Sequence, residues 1–310
     1  MNVLITGLMM IKEKDRFKTF FKEKYDIETF FPPVEQYLHE KELLSIVGEF
    51  DGWICGDDEI TRRVLQKSLP RLKVISKWGT GIDSIDMNSA KELSIPVYNA
   101  PGAFADAVSE VAVGYILNLN RQISLIDKMV RYGSWPKIQS KGLASKTVGI
   151  IGYGAIGQSI AQKIKVFGCK IFFYDPHIKH DKSIASECDF NKLVSTSDIV
   201  CLACNSNSEN HHLFNKSVFD QMKRDSYIIN VGRGQLIDEQ ALISALMSKK
   251  ISGAALDVFE NEPLPLNSKL LDFDNIILGS HNANNQKEAT ENVHQITIKN
   301  LIETLESFKG

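Results

Sequence analysis

Short apolar runs alternate with amphipathic stretches from one end of the chain to the other, the pattern of parallel strands covered by helices. In the first hundred residues the runs 3–6, 27–30, 52–55, 73–76 and 97–99 predict five strands of one open sheet, separated by charged segments such as 12–24. That segment mixes signs and reads as a solvated helix face. From Ala107 the positions Val108, Val111, Ala112, Tyr115, Ile116 and Leu119 recur at spacings of three and four, predicting a long helix between two halves. Beyond it the runs 147–151, 170–174, 198–203, 227–231, 252–256 and 276–279 predict a second sheet of about six strands. The segment 286–308 carries Ala289, Val293, Ile296, Leu301 and Leu305 at helical spacing and must bury that face. The expected fold class is α/β, with two doubly wound parallel sheets.

Composition narrows the choice of function. A chain of 310 residues suggests about two domains. Its 36 Lys and Arg against 38 Asp and Glu leave a net charge of −2, so no basic footprint for nucleic acid is expected. With 43% hydrophobic and 24% charged residues the chain reads as globular rather than disordered. No apolar run approaches the roughly 20 residues that a bilayer requires. The stretch 3–11 lacks the basic flank and cleavage site of a targeting signal and reads as a strand. The five cysteines (Cys55, Cys169, Cys188, Cys201 and Cys204) are odd in number and scattered, which predicts reduced thiols and a cytoplasmic location. Cys201 and Cys204 form a CxxC, but on a strand that offset points them to opposite faces, so no metal site is expected.

The chemistry gathers in the second half. Gly152, Gly154 and Gly157 form GxGxxG directly after a predicted strand and open a helix striped by Ile156, Ile160 and Ile164. A loop running Gly152, Tyr153, Gly154, Ala155, Ile156, Gly157 suits a dinucleotide, whose phosphates lie on the helix N-terminus. Asp175 closes the next strand, where a carboxylate accepts both ribose hydroxyls and repels a 2′-phosphate. Pro176 and His177 offer no compensating arginine, so NAD is expected rather than NADP. In a parallel sheet, ligands bind beyond the carboxyl ends of the strands. Asn205, Arg233, Asp257 and His281 each follow an apolar run and converge with Asp175 on that side. Spacing leaves their individual roles open.

With these residues in view, the chain resembles the D-isomer-specific 2-hydroxyacid dehydrogenases over nearly its whole length. Lys77-Trp78-Gly79-Thr80-Gly81-Ile82-Asp83 is similar to the family's substrate loop, Asn99-Ala100-Pro101-Gly102 to its hinge, and Asp106-Ala107-Val108-Ser109-Glu110 to the opening of its interdomain helix. Asn230-Val231-Gly232-Arg233-Gly234, the segment from Ala255 to Pro263, and Ser280-His281-Asn282-Ala283 follow in the family's order. The resemblance implies a flavodoxin-like substrate domain of residues 1–99 and 286–310, and a Rossmann NAD-binding domain of residues 100–285. It implies Arg233, Glu262 and His281 as the catalytic residues. His281 would exchange a proton with the substrate oxygen, Glu262 would orient the imidazole, and Arg233 would polarise the carbonyl and pair with the carboxylate. Val231, Gly232 and Asp257 would join Asn205 around the cofactor, while Lys77, Trp78, Gly79, Thr80 and Gly81 would meet the substrate. A homodimer through the helix from Ala107 to Arg121 is implied as well.

The chain departs from the common family pattern at Ala203, Asn205 and Asn207, at Ala105 and at Ser280. The run from Ser280 to Asn285 resembles the phosphoglycerate-dehydrogenase-like branch, in which Lys77 could meet a phosphate and Asp57 and Asp58 would oppose it. The expected reaction is hydride transfer between nicotinamide and a D-2-hydroxyacid or 2-oxo acid, with 3-phosphoglycerate and phosphohydroxypyruvate as the leading pair. The alternatives are a hydroxypyruvate or glyoxylate reductase, D-lactate dehydrogenase, phosphite dehydrogenase, or a non-catalytic NADH sensor such as the C-terminal binding protein corepressors.

Overall fold

A computed structural model describes residues 1–177 and 183–308, and contacts divide the chain into two units, Met1–Phe104 with Gln286–Gly310 and Ala105–Asn285. Residues 100–104 stay with the first unit, five residues beyond the boundary expected from the sequence. There the Ala100 N–H donates to the Gly79 carbonyl at 2.8 Å, and Phe104 packs on Trp78 with ring centroids 5.5 Å apart.

The first unit holds β1 (Asn2–Ile5), β2 (Glu28–Phe30), β3 (Gly52–Cys55), β4 (Val74–Lys77) and β5 (Val97–Tyr98), in the order β2-β1-β3-β4-β5. All four pairings are parallel, which is the flavodoxin-like order. Every residue of β3 and β4 is buried, because helices cover both faces of a parallel sheet and its central strands become continuously apolar. The charged segment near the start forms the helix Lys14–Tyr25, burying only Phe17 and Phe21. The terminal helix Lys287–Ser307 packs on β3 and β4 and buries Val293, Leu301 and Leu305, so the C-terminal apolar stripe closes over the N-terminal sheet. Ser76 Oγ fastens the two by donating to the Thr297 carbonyl at 2.9 Å.

Among its described residues the second unit holds seven parallel strands. They are β6 (Thr147–Ile151), β7 (Lys170–Tyr174), β8 (Ser186–Glu187), β9 (Ile199–Leu202), β10 (Ser226–Asn230), β11 (Ile251–Leu256) and β12 (Ile276–Leu278). The order β12-β11-β10-β9-β6-β7-β8 is the Rossmann arrangement extended by one strand. The strand missing from the sequence reading is β8, two exposed residues without an apolar run. The helix Ala105–Arg121 buries Ala107, Val108, Ala112, Ile116 and Leu119, and meets the helix Ala155–Lys165 where Ser109 Oγ lies 2.9 Å from Ser159 Oγ. A further helix, Ile123–Arg131, follows Gln122 at φ 54° and buries none of its residues. Among the described residues, no helix is long and apolar enough to cross a membrane.

Candidate functional site

The glycine loop lies at the carboxyl end of β6. A Cβ on Gly157 would run into the Gly152 carbonyl, so helix and strand approach as closely as they do only without a side chain there. A Cβ on Gly154, in contrast, would meet nothing within 4 Å. Gly154 therefore faces open space at the N-cap of the helix Ala155–Lys165, where backbone dipoles favour an anion. The carboxylate of Asp175 reaches back to the loop, its Oδ2 accepting the Tyr153 N–H at 2.8 Å. Beside Asp175 a cavity of about 440 Å³ is lined by Tyr174, Asp175, Pro176, Glu187, Cys188 and Asp189. An open glycine cradle, a helix N-terminus and a carboxylate at the second strand end together fit the pyrophosphate and ribose of a dinucleotide. The two extra acids, Glu187 and Asp189, escaped the sequence reading because one ends and the other follows a strand without an apolar pattern.

Tyr153, in the glycine loop, is 1% exposed and its ring stacks on Phe173 with centroids 3.9 Å apart. Ala155 and Ile156 open the helix, and Asn205 is exposed just beyond β9 with its carbonyl accepting from Asn210 Nδ2. Burial pushes the thiol of Cys204 up to about 11 and that of Cys201 up to about 12, which keeps both protonated at neutral pH. Among the described residues, no group of three His, Cys, Asp or Glu could hold a metal ion.

Arg233, Asp257, Glu262 and His281 follow β10, β11 and β12. Asn230, fully buried at the end of β10, shapes the arginine turn: its Oδ1 accepts the Gly232 N–H at 3.0 Å and its Nδ2 donates to the Arg233 carbonyl at 2.8 Å. Val231 is 7% exposed and its N–H is held by the Leu202 carbonyl. A Cβ on Gly234 would collide with the Phe259 backbone, so this glycine lets the turn pack against the segment that carries Glu262. His281 and Glu262 meet directly, with Nδ1 2.7 Å from Oε2, while Oε1 of the same carboxylate accepts the Phe259 N–H at 3.0 Å. His281 has a φ of 54°, a conformation that costs a non-glycine residue about 1–3 kcal/mol and persists where its surroundings over-determine it. Here the His281 N–H donates to the Asp257 carbonyl at 2.7 Å, and the Asp257 carboxylate accepts the N–H groups of Asn282 and Ala283. Tyr115 also donates to Asp257, and burial followed by that neighbouring charge pushes its phenol up. A histidine oriented by a carboxylate in this way can pass a proton to and from a bound oxygen.

In the first unit, Gly79, Thr80 and Gly81 follow β4, with Gly79 at φ 128°. The carbonyls of this turn are occupied: that of Trp78 accepts from Lys77 Nζ at 3.1 Å, that of Gly79 from Ala100, and that of Thr80 from Asn99 Nδ2 at 2.6 Å. The Lys77 side chain is 3% exposed, and its ammonium lies 2.9 Å from the half-exposed carboxylate of Asp57. Asp58 is fully buried and accepts from Thr6, Leu38 and Gly56.

Comparison with known proteins decides the family. The model of the D-isomer specific 2-hydroxyacid dehydrogenase NAD-binding domain matches residues 113–283, more than half of the chain. The chain belongs to this family. It is 37% identical to a glyoxylate/hydroxypyruvate reductase of Arabidopsis thaliana over 80% of the chain and 77% of that protein. To a D-3-phosphoglycerate dehydrogenase of Methanocaldococcus jannaschii it is 36% identical over 86% of the chain but only 52% of that protein. The crystal structure of D-lactate dehydrogenase from Aquifex aeolicus, complexed with NAD and lactic acid, superposes with a TM-score of 0.88 at 26% identity, covering 99% of this chain and 96% of that one. This dehydrogenase is thus an NAD-dependent oxidoreductase that transfers a hydride between nicotinamide and a D-2-hydroxyacid or its 2-oxo acid.

Proposed function

We propose that this dehydrogenase reduces small unphosphorylated 2-oxo acids, with glyoxylate and hydroxypyruvate as its substrate class. The observation that carries the chemistry is the His281–Glu262 pair at 2.7 Å beyond the strand ends of the NAD-binding unit. In this reading His281, protonated, gives its Nε2 proton to the substrate carbonyl oxygen as that oxygen becomes a hydroxyl. Glu262 accepts the Nδ1–H, fixes the ring and stabilises its cation. Arg233 polarises the carbonyl and pairs with a carboxylate oxygen, a task for which the planar guanidinium is shaped. The N–H groups of Gly79, Thr80 and Gly81 take the substrate carboxylate, for which the engaged carbonyls of the same turn orient them. Bound at the glycine loop, the cofactor supplies the hydride to the carbonyl carbon. Gly152 to Gly157, Asp175, Asn205, Val231, Gly232 and Asp257 line its place.

The choice of substrate rests on Lys77. Paired with Asp57 and nearly inaccessible, it has no charge to spend on a phosphate, which argues against 3-phosphoglycerate. Incubating the protein with hydroxypyruvate and NADH tests the reading: the product should be D-glycerate, and L-glycerate or no product would overturn it. The homodimer belongs to the same proposal, through the helix that runs to Arg121, with Tyr132 and Trp135, each 81% exposed beyond the next helix, among the apolar groups a second copy would cover. Light scattering should give twice the chain mass for wild type and a lower mass for Trp135→Ser; a wild-type monomer contradicts it.

A further inference from the structure

Trp78 lies inside the turn to which the proposal gives the substrate carboxylate, yet its indole is 8% exposed and points away from solvent. Its Nε1–H donates to Nδ1 of His294 at 3.0 Å. Acceptance at Nδ1 requires the neutral imidazole with its proton on Nε2. His294, 1% exposed on the terminal helix, has ring contacts with Phe17 at 4.8 Å and with Trp78 at 5.7 Å. The carbonyls of residues 78 to 80 are held by Lys77, Ala100 and Asn99 and the Trp78 N–H by the Cys55 carbonyl, so the indole is the fifth fastening of the turn and the one that reaches the terminal helix.

We propose that His294 is a positioning residue for the reaction: by accepting the Trp78 indole proton it holds the turn at Gly79–Gly81 in the shape that takes the substrate carboxylate. The inference rests on the carboxylate role given to that turn above. It carries a pH dependence with a definite sign. Protonated at Nδ1, His294 would face the indole donor with a donor and the fastening would be lost. The charged groups around it are Glu13 and Arg16 at the start of the helix Lys14–Tyr25 and Glu291 on its own helix; the turn brings the neutral indole, since the Lys77 ammonium is bound to Asp57. Burial holds the imidazole below its ordinary value, against the pull of Glu13 and Glu291, so the neutral acceptor prevails at neutral pH and is lost in acid.

Steady-state kinetics with hydroxypyruvate and NADH test this in wild type, His294→Phe, His294→Asn, Trp78→Phe and Gly79→Ala. His294→Phe keeps a ring and loses the acceptor, and should raise KM about 3- to 10-fold with little change in kcat, the effect of one hydrogen bond. His294→Asn, whose Oδ1 can take the place of Nδ1, should recover most of that loss. Trp78→Phe should match His294→Phe, and the double variant should add nothing. In wild type KM should rise only in acid below the ordinary histidine value of about 6.5, because burial lowers the titration of the ring, and this rise should be absent in His294→Asn. Gly79→Ala forces a side chain onto a φ of 128° and reports on the turn itself. If it raises KM while His294→Phe does not, the role of His294 is refuted and the carboxylate reading stands. If neither moves KM, both fall. Equal damage to kcat and KM in His294→Phe and His294→Asn would mean packing alone and refute the inference. Should His294→Phe fail to fold, Trp78→Phe and the pH contrast in His294→Asn decide the matter.

Discussion

His281 combines a left-handed backbone with an imidazole held by Glu262, and both features come from its neighbours: Asp257 secures the turn and Glu262 the ring. His281→Asn should therefore cut turnover about 10²- to 10⁴-fold, the worth of a general acid, while the NADH dissociation constant stays nearly unchanged in a fluorescence titration. Turnover close to wild type would remove the role. Arg233→Lys should lower kcat and raise KM together, because a point charge cannot reproduce a two-pronged contact; unchanged kinetics would rule the contact out. The positions of Arg233, Asp257 and His281 were legible because each follows an apolar run and parallel strands place such positions at one sheet edge, whereas their roles, and Glu262 itself, were implied only by the family resemblance. Tyr153 and Lys77 were not legible, for a shared reason. The partner that withdraws each one, Phe173 or Asp57, sits on or just beyond a neighbouring strand, so the contact exists only once β6 lies beside β7 and β3 beside β4.

At the scale of elements, the turn from β6 into the helix Ala155–Lys165 separates two uses of glycine. Gly157→Ala puts a Cβ into the Gly152 carbonyl and should lower the unfolding midpoint in urea. Gly154→Ala meets nothing in the protein, and should leave that midpoint unchanged while weakening NADH binding. If Gly154→Ala binds NADH as tightly as wild type, the phosphates do not lie on this loop. The neighbouring element, β8, adds Glu187 and Asp189 beside Asp175, so the cavity that would receive the ribose is ringed by three acids. NADH should be used far better than NADPH, and Asp175→Ser should narrow the gap mainly by weakening NADH; equal wild-type efficiency with both would contradict this. The sequence exposed the six longer strands because each carries an apolar run, which in the central strands reflects burial on both faces. It concealed β8, two exposed residues that leave no apolar run; the helix Ile123–Arg131 was missed although Ile123, Ile126, Met129 and Val130 stand at helical spacing.

For the whole molecule, the chain's last helix completes the sheet begun at its first residues. Leu301 is fully buried and, with Leu305, fills the space beside Gly52, so Leu301→Ala should cost about 2–5 kcal/mol in urea unfolding. An unaltered unfolding curve would show that the helix contributes little to that core. Substrate choice also belongs to this scale, because one fold hosts enzymes of different specificity. The most direct measurement is kcat/KM with NADH for glyoxylate, hydroxypyruvate and phosphohydroxypyruvate on the wild-type protein. The account predicts that the two unphosphorylated acids exceed the phosphorylated one; a preference for phosphohydroxypyruvate, or no NADH oxidation with any of the three, would contradict it.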